Sequence, residues 1–413
     1  MNQNNPFQTP TLSQDTQDPL TEILQDGARQ LLAKALEAEV QAHLDALRDQ
    51  VDEHGNRLVI RNGYLPERKI QTGIGAVEIR QPRVRDKRPG EEECFVSKIV
   101  PPYLRRTKSM EEFIPWLYLR GVSTGDFSEA MEPLLGADAP GLSAATVVRL
   151  KKVWEKDYLA WNQRDLSHKR YVYIWVDGIH FNIRLEDQRS CILVVIGATA
   201  DGKKELIAVE DGVRESEQSW REVLLGLKAR GLTTAPELAI GDGALGFWKA
   251  IAKEYPSTKW QRCWVHKTAN VRNKFPKSQQ PKAKAKLHEI WNSSSRKDAN
   301  KAFDLFVSSY EAKYPKATQC LLKDRESMLA FYDFPAQHWA HLRTTNPIES
   351  TFATVRLRTA RTKGSGSRLA CLTMVFQLAL SAEKRWRKLN GHQLLADVIN
   401  GVQFKDGIKV FAA

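Results

Sequence analysis

Residues 171–177 read Tyr-Val-Tyr-Ile-Trp-Val-Asp. Aromatic and β-branched side chains alternate, and nothing charged appears until Asp177, the pattern of a strand buried on both faces. A carboxylate at the end of such a strand is costly to desolvate unless something pairs with it, and a divalent metal ion is a partner that fits. The competing reading makes Asp177 the opening of an Asp177-Gly178 turn, since Asp-Gly is a common turn signal.

The residues downstream weigh on that choice. Residues 179–184 continue extended, and Ser-Cys-Ile-Leu-Val-Val-Ile-Gly-Ala-Thr at 190–199 is a second apolar run. Asp201-Gly202 reads as a hairpin turn, residues 205–210 as a third strand, and residues 217–230 as a helix with Trp220, Val223, Leu224 and Leu227 on one face. A fourth strand at 237–241 runs into Asp242, followed by a helix over 244–253 and a fifth strand over 259–263. The Asp-Gly pairs at 201 and 211 both read as turns. This order suits a mixed sheet with the first and fourth strands adjacent and parallel, which brings Asp177 and Asp242 together. Two carboxylates so close repel each other unless a cation sits between them, and that favours the metal reading.

Mg²⁺ takes oxygen ligands in octahedral geometry. Two such ions about 3.5–4 Å apart activate an attacking water or hydroxyl and stabilise a leaving oxygen. Two aspartates are too few to hold them. A third acid is offered by Asn346-Pro347-Ile348-Glu349, a helix start with Asn at the N-cap and Pro at the first position. Arg356, Arg358, Arg361 and Lys363 follow, bases suited to a phosphate backbone beside a metal ligand. Glu349 also reads as an ordinary first-turn acid favoured by the helix dipole.

The 413-residue chain carries a formal net charge of +13, with a pI of about 9.4. That excess favours a polyanionic partner, nucleic acid before acidic lipid; a merely soluble basic protein is the alternative. The five cysteines are scattered without a Cys-x-x-Cys, which fits a reduced compartment better than a disulfide framework. With no signal peptide and no run of membrane-spanning length, the expected location is the cytoplasm, on DNA.

Residues 1–18 are polar and expected to be disordered. Asp18-Pro19 opens a helix within 19–50 whose apolar face serves either dimerisation or packing on its own domain. Residues 51–105 read as two to four short strands leading into Pro82-Arg83-Val84-Arg85, where Arg83 and Arg85 serve phosphate contact or simply a solvated loop. Residues 106–165 hold three helices, beginning near Ser109, Ser123 and Ser143. They are compatible with a helix-turn-helix, as is any small helical domain.

Taken together, these motifs resemble the Mutator-type transposases of bacterial insertion sequences. The resemblance rests on Arg61-Asn62-Gly63-Tyr64, Pro82-Arg83-Val84-Arg85, Arg120-Gly121-Val122-Ser123-Thr124, Val176-Asp177-Gly178-Ile179-His180, Gly241-Asp242-Gly243, Gln261-Arg262-Cys263-Trp264-Val265-His266-Lys267 and Asn346-Pro347-Ile348-Glu349, in this order over most of the chain. It implies an α/β RNase H-like catalytic core, a mixed five-stranded sheet with helices on both faces. An all-α insertion interrupts this core, and a helical, small-strand DNA-binding region precedes it. The core then covers 166–275 and 344–390, the insertion 276–343, and a tail 391–413. The resemblance further implies a DDE triad of Asp177, Asp242 and Glu349 holding two Mg²⁺, for which Mn²⁺ substitutes. It also implies cleavage at terminal inverted repeats, strand transfer into target DNA, and a homodimer or higher oligomer on DNA.

Cys263-x-x-His266 follows the fifth strand, and His338-x-x-His341 lies further on, but the pairs are too far apart for zinc-finger spacing. The resemblance marks Cys263 and His266 as a characteristic pair beside the active site, with His266 expected to contact DNA phosphate or to orient the second acid; a core histidine is the alternative. Trp291, Trp339 and several lysines of the insertion serve either DNA contact or helical packing. Two functional rivals stand beside the transposase: an RNase H-like nuclease without strand transfer, and a non-catalytic DNA-binding descendant.

Overall fold

A computed structural model describes residues 19–88, 95–122, 126–135, 144–181, 190–212, 214–243, 245–361 and 367–410. They form two compact units, one ending at Ala144 and the other running from Ala145, with Leu119–Gly121 counted in the second.

The first unit contains α1 (Pro19–Ala46), β1 (Val59–Tyr64), β2 (Arg68–Thr72), β3 (Gly75–Ile79), β4 (Pro82–Asp86), α2 (Lys108–Arg120) and α3 (Phe127–Leu135). β2 and β3 form a hairpin, and β1 pairs with β4 in a separate two-stranded sheet. Leu36 of α1 is buried with Ile70, Val77, Ile79 and Val100, so one face of this helix packs on its own unit. Leu20, Ile23, Leu24 and Leu31 stay exposed. The β1–β4 register shifts between Arg61 and Tyr64, where Gly63 takes a φ of 67° that favours glycine. Tyr64 then lies between the guanidinium groups of Arg61 and Arg80, 4.9 and 5.0 Å from its ring centre. Along β4, Arg83 and Arg85 are both exposed and, two residues apart, share one face. The expected helix starts at Ser123 and Ser143, and the turn between the last two helices, lie outside the described residues.

In the second unit α4 (Ala144–Asn162) leads to β5 (Tyr171–Phe181), β6 (Ser190–Thr199), β7 (Lys204–Gly212), α5 (Glu217–Ala229), β8 (Leu238–Gly241), α6 (Leu245–Glu254) and β9 (Lys259–Arg262). The strands form one mixed sheet in the order β7-β6-β5-β8-β9. β5, β6 and β7 are antiparallel neighbours, whereas β8 runs parallel to both β5 and β9. Asp177-Gly178 is therefore not a turn: β5 passes straight through it, with Gly178 opposite Leu193. Asp211-Gly212 is not a turn either. The ladder with β6 continues through it, pairing Asp211 with Ile192 and Gly212 with Cys191. Asp201-Gly202 does turn, with Gly202 at φ 79°. One face of the sheet buries Ile174, Val176 and Val195 against Trp220, Leu224 and Phe247 of α5 and α6. From the other face, Tyr173 and Trp175 reach His338 and the carbonyl of His341.

After β9 come α7 (Trp264–Arg272) and the run of helices that falls on the expected insertion: α8 (Gln280–Asn292), α9 (Arg296–Tyr310), α10 (Pro315–Leu322), α11 (Arg325–Met328) and α12 (Trp339–Leu342). The chain closes with α13 (Asn346–Arg361), α14 (Arg368–Glu383), α15 (Leu395–Ile399) and a hairpin of β10 (Phe404–Lys405) and β11 (Ile408–Lys409). α14 stops at Glu383, so the basic residues from Lys384 onward fall beyond it. α13 packs against β5 and α14 against β7.

The Gln261–Lys267 motif anchors this insertion. The Gln261 side-chain amide donates to the carbonyl of Met328 at 3.0 Å and accepts from the N–H of Phe331 at 2.8 Å, and Trp264 Nε1 donates to Met328 at 2.9 Å. Lys267, 4% exposed, bonds the Cys320 carbonyl and forms an ion pair with Asp324, which Arg262 shares at 3.4 Å. Trp339 is buried against Phe331 and Tyr332, and Trp291, half-buried, packs edge-on against Trp264. Trp339 therefore serves packing rather than DNA contact. Breaking a buried ion pair by removing one charge leaves the other desolvated and unpaired. Asp324→Asn is expected to destabilise the chain by about 3 kcal/mol, measured by urea unfolding.

His338 is fully buried and bonded at both ring nitrogens. Its Nε2 lies 2.9 Å from the Gly391 carbonyl, which can only accept, so Nε2 carries the proton and Nδ1 accepts from the Tyr173 hydroxyl at 2.8 Å. Burial pushes its pKa down to about 4. The unfolded chain therefore takes up a proton near pH 6.5 that the folded chain refuses until about pH 4, and stability falls as pH drops through that window. His338→Gln is expected to flatten the stability–pH slope between pH 6.5 and 4 relative to the parent protein, read from urea midpoints.

Candidate metal centre

β5 and β8 run parallel with Val176 opposite Gly241, so the residues that follow, Asp177 and Asp242, emerge side by side at the same end of the sheet. Asp177 is 6% exposed, and its Oδ1 accepts the Gly178 N–H at 2.9 Å. Burial and then the negative charge of Asp242 push its carboxyl up to about 7, with His266 opposing. Trp248 Nε1 donates to the Asp242 carbonyl at 3.0 Å and fixes the turn after β8. Gly243 is bare because the Arg262 guanidinium occupies the space a Cβ would take.

β9 pairs with β8 and delivers Cys263, whose N–H donates to the Gly241 carbonyl at 2.8 Å. Cys263 is the N-cap of α7, which puts His266 in its first turn. The third acid arrives on α13. The N–H groups of Ile348 and Glu349 both donate to the Thr345 carbonyl, so Thr345 rather than Asn346 occupies the N-cap position, and Asn346 is exposed. The Thr345 hydroxyl lies 3.2 Å from Glu349 Oε1, 3.4 Å from Cys263 Sγ and 3.5 Å from His266 Nδ1. A hydroxyl has a single proton; donating it to the carboxylate leaves its lone pairs to the thiol and the imidazole.

His266 Nδ1 is 3.6 Å from Glu349 Oε1. Its pKa is pushed up to about 9 by its hydrogen bond with Cys263 and by the charges of Asp177 and Asp242, against the opposing effect of burial. The imidazole thus pairs with the third acid, not the second, while its charge is felt by the other two. Glu349 is the acid in direct reach of this side chain; Asp177 and Asp242 act on it through their charge.

Of the bases expected on α13, Arg356 is exposed and Arg358 is 3% exposed. Arg358 therefore does not present itself to a phosphate: the helix turns it inward along the same side as Val355 and Phe352. The Arg361 side chain and Lys363 lie outside the described residues.

One acid escaped the sequence reading. Glu215 precedes the N-cap Ser216 of α5, and its carboxylate meets His180 Nε2 at 3.2 Å. Burial and then the charge of Asp242 raise its pKa, against the opposing effect of His180. A lone Glu before a helix carries no pattern that sets it apart from any loop acid. His180 belonged to a quoted motif but had no role assigned. Ligand atoms of His180, Cys191 and Glu215 lie within 4.8 Å of one another, as do those of Cys263, His266 and Glu349.

The donor set fits a hard divalent cation. It supplies carboxylate oxygens, and burial together with the charge of Asp242 makes Asp177 costly to ionise, a cost that a cation relieves.

The family model "Transposase, Mutator family" matches residues 4–388. The transposase for insertion sequence element IS6120 of Mycolicibacterium smegmatis is 52% identical over 298 residues, 72% of this chain and 92% of that protein. The transposase for insertion sequence element IST2 of Acidithiobacillus ferrooxidans is 54% identical over 287 residues, 68% and 95% of the two chains. The transposase for IS256 in transposon Tn4001 of Staphylococcus aureus is 31% identical over 310 residues, 73% and 76% of the two chains. With the family model covering nearly the whole chain and relatives of this identity along most of its length, the protein belongs to the Mutator family of transposases.

Proposed function

We propose that this chain cleaves DNA at the terminal inverted repeats of an insertion sequence and joins the freed 3′ ends to target DNA, using Asp177, Asp242 and Glu349 as a DDE triad in an RNase H-like core. The observation that supports the reading is the parallel pairing of Val176 with Gly241, which sets Asp177 beside Asp242, together with His266 3.6 Å from Glu349 and raised in pKa by the charges of both aspartates. Asp177, Asp242 and Glu349 would hold two Mg²⁺, or Mn²⁺ in their place. When bound, such ions activate the attacking oxygen and stabilise the leaving one.

The chain's own residues then have distinct tasks. Burial and Asp242 push the Asp177 carboxyl up to about 7, and arriving counter-charge would favour its ionised form. His266 balances the acid charge and holds Glu349 from α13. Thr345 orients the same carboxylate through its hydroxyl, and Cys263 fixes Thr345 by accepting its N–H at 3.3 Å. Arg356, exposed on the same helix, is suited to a DNA phosphate.

Binding of the ends falls to the N-terminal region, where Arg83 and Arg85 present two guanidinium groups from one face of β4 to successive phosphates. Paired ends favour a homodimer or larger oligomer on DNA.

Asp177→Asn, Asp242→Asn and Glu349→Gln are each expected to lower end cleavage and strand transfer by at least about a thousandfold while leaving end-DNA binding near the parental level. Cleavage and gel-shift assays on the same end-bearing DNA measure the two. Cleavage without joined products in the parent protein would favour the nuclease rival. The double change Arg83→Ala, Arg85→Ala is expected to weaken binding and to lower the slope of log K against log salt by about 2, read from a salt titration.

A further inference from the structure

The lysines of the helices that follow β9 do not all find partners. Lys267 and Lys301 each meet a carboxylate. Lys274, Lys277, Lys286 and Lys313 meet none among the described residues, and neither do Lys282 and Lys316 nearby. The first four gather around three aromatic rings. Phe275 lies 5.0 Å from Tyr310 and 4.8 Å from Tyr314, centre to centre. Lys286 Nζ stands 5.9 Å from the Tyr310 ring centre, with the Ser309 hydroxyl at 3.3 Å, and Lys313 Nζ stands 5.8 Å from the Tyr314 ring centre. Lys274 and Lys277 bracket Phe275 in the chain, and both are exposed. The exposed acids close by in sequence, Glu289 and Glu311, are too few to neutralise these ammonium groups. A lysine just past a helix end offsets the helix dipole, which accounts for Lys274 after α7 but not for Lys286 inside α8 or Lys313 ahead of α10. Lysine stems gain by covering tyrosine rings, yet the charges at their tips stay uncompensated. Cations gathered in this way raise the local concentration of a polyanion.

We infer that Lys274, Lys277, Lys286 and Lys313 form a docking surface for the phosphate backbone of the end-bearing DNA duplex, about four base pairs from the scissile bond. This deepens the proposed function and rests on its cleavage reading. α7 sets the distance. His266, beside Glu349, lies in its first turn, and Lys274 follows its C-cap Asn273. Its 9 residues at 1.5 Å each give a length of about 14 Å, and at 3.4 Å per base pair that spans about four base pairs. A duplex whose scissile phosphate reaches the acids therefore has other phosphates in range of the lysines. The end duplex is present through both cleavage and joining, whereas target DNA enters only for joining. Ammonium groups on flexible stems act on phosphates as point charges, so the surface adds affinity and register without reading base sequence.

The test uses the full-length protein without divalent cation, so that the DNA stays uncut, and an end-bearing duplex with an internal cleavage site. Lys274→Gln, Lys277→Gln and Lys313→Gln made together are expected to weaken binding by about tenfold or more and to lower the slope of log K against log salt by about 3, with the melting temperature held at the parental value. Ethylation of phosphates about three to six positions from the scissile bond is expected to weaken binding by the parent and to leave binding by the triple variant unchanged. Arginine at the same three positions is expected to restore the salt slope and the ethylation pattern, because the charge is kept. Should the triple variant not fold, Lys274→Gln with Lys277→Gln carries the same expectation with a slope change of about 2. Parental affinity, slope and ethylation pattern in the glutamine variant would overturn the docking surface alone. A loss seen only with target duplex would overturn it in favour of target binding. If the parent fails to cleave the end duplex when Mg²⁺ is added, the cleavage reading itself has failed.

Discussion

The parallel pairing of β5 with β8 is the constraint on which the rest depends. Val176 opposite Gly241 puts Asp177 beside Asp242. Adjacent strands lie about 4.8 Å apart, and two unit charges at about 5 Å in an effective dielectric near 20 repel by about 3 kcal/mol. Burying one Val, Ile or Leu side chain offsets about 1.5–3 kcal/mol, and the two strands bring Ile174, Val176, Leu238 and Ile240 into the core together. The apolar segments therefore win, and the carboxylates are carried into proximity they would not choose. Burial first, and the Asp242 charge after it, push the Asp177 carboxyl up to about 7.

The Gln261–Lys267 stretch answers two demands at once, which accounts for its density of distinctive residues. Gln261, Arg262, Trp264 and Lys267 bind the helical insertion at Met328, Phe331, Cys320 and Asp324. Cys263 and His266 hold Thr345 and Glu349 at the start of α13. On a first helical turn, residues three apart share a face and residues one apart do not, so one short segment supports the insertion on one side and the acids on the other. The insertion lies between β9 and α13 in sequence, and this segment closes that long excursion so that the third acid returns to the sheet.

The sheet was legible because its signals are local. Alternating apolar runs, one real Asp-Gly hairpin and two amphipathic helices fix the strands and their order, and the mixed topology then follows. What failed was set by partners distant in sequence. Asp211-Gly212 looks like a turn until β6 is seen to extend alongside it. Asn346 looks like the helix cap until Cys263, 82 residues away, is seen to hold the Thr345 N–H and so set Thr345, whose carbonyl accepts the first bonds. Arg358 looks like a phosphate contact until the helix is rotated against β5 and buries it. Glu215 could not be found from sequence, since only the return of the β7–α5 connection over Gly178 gives it a place.

On the proposed reading, the balance of charge would impose an order on assembly. The chain as a whole is strongly basic, and its exposed arginines would attract DNA over distances near the Debye length of about 8–10 Å. The acids beside β5 and β8 are the reverse: Asp177 lies in the negative field of Asp242 and Glu215 with His266 opposing, and Glu349 faces the same imidazole. A phosphodiester drawn to the surface would meet that negative charge where its chemistry would occur. Protonation of Asp177 would ease the repulsion only in part, and a carboxylic acid that keeps its proton cannot serve as a hard-cation ligand. Counter-charge would therefore have to enter before, or together with, the scissile phosphate, and DNA could be held at the surface uncut until it arrives.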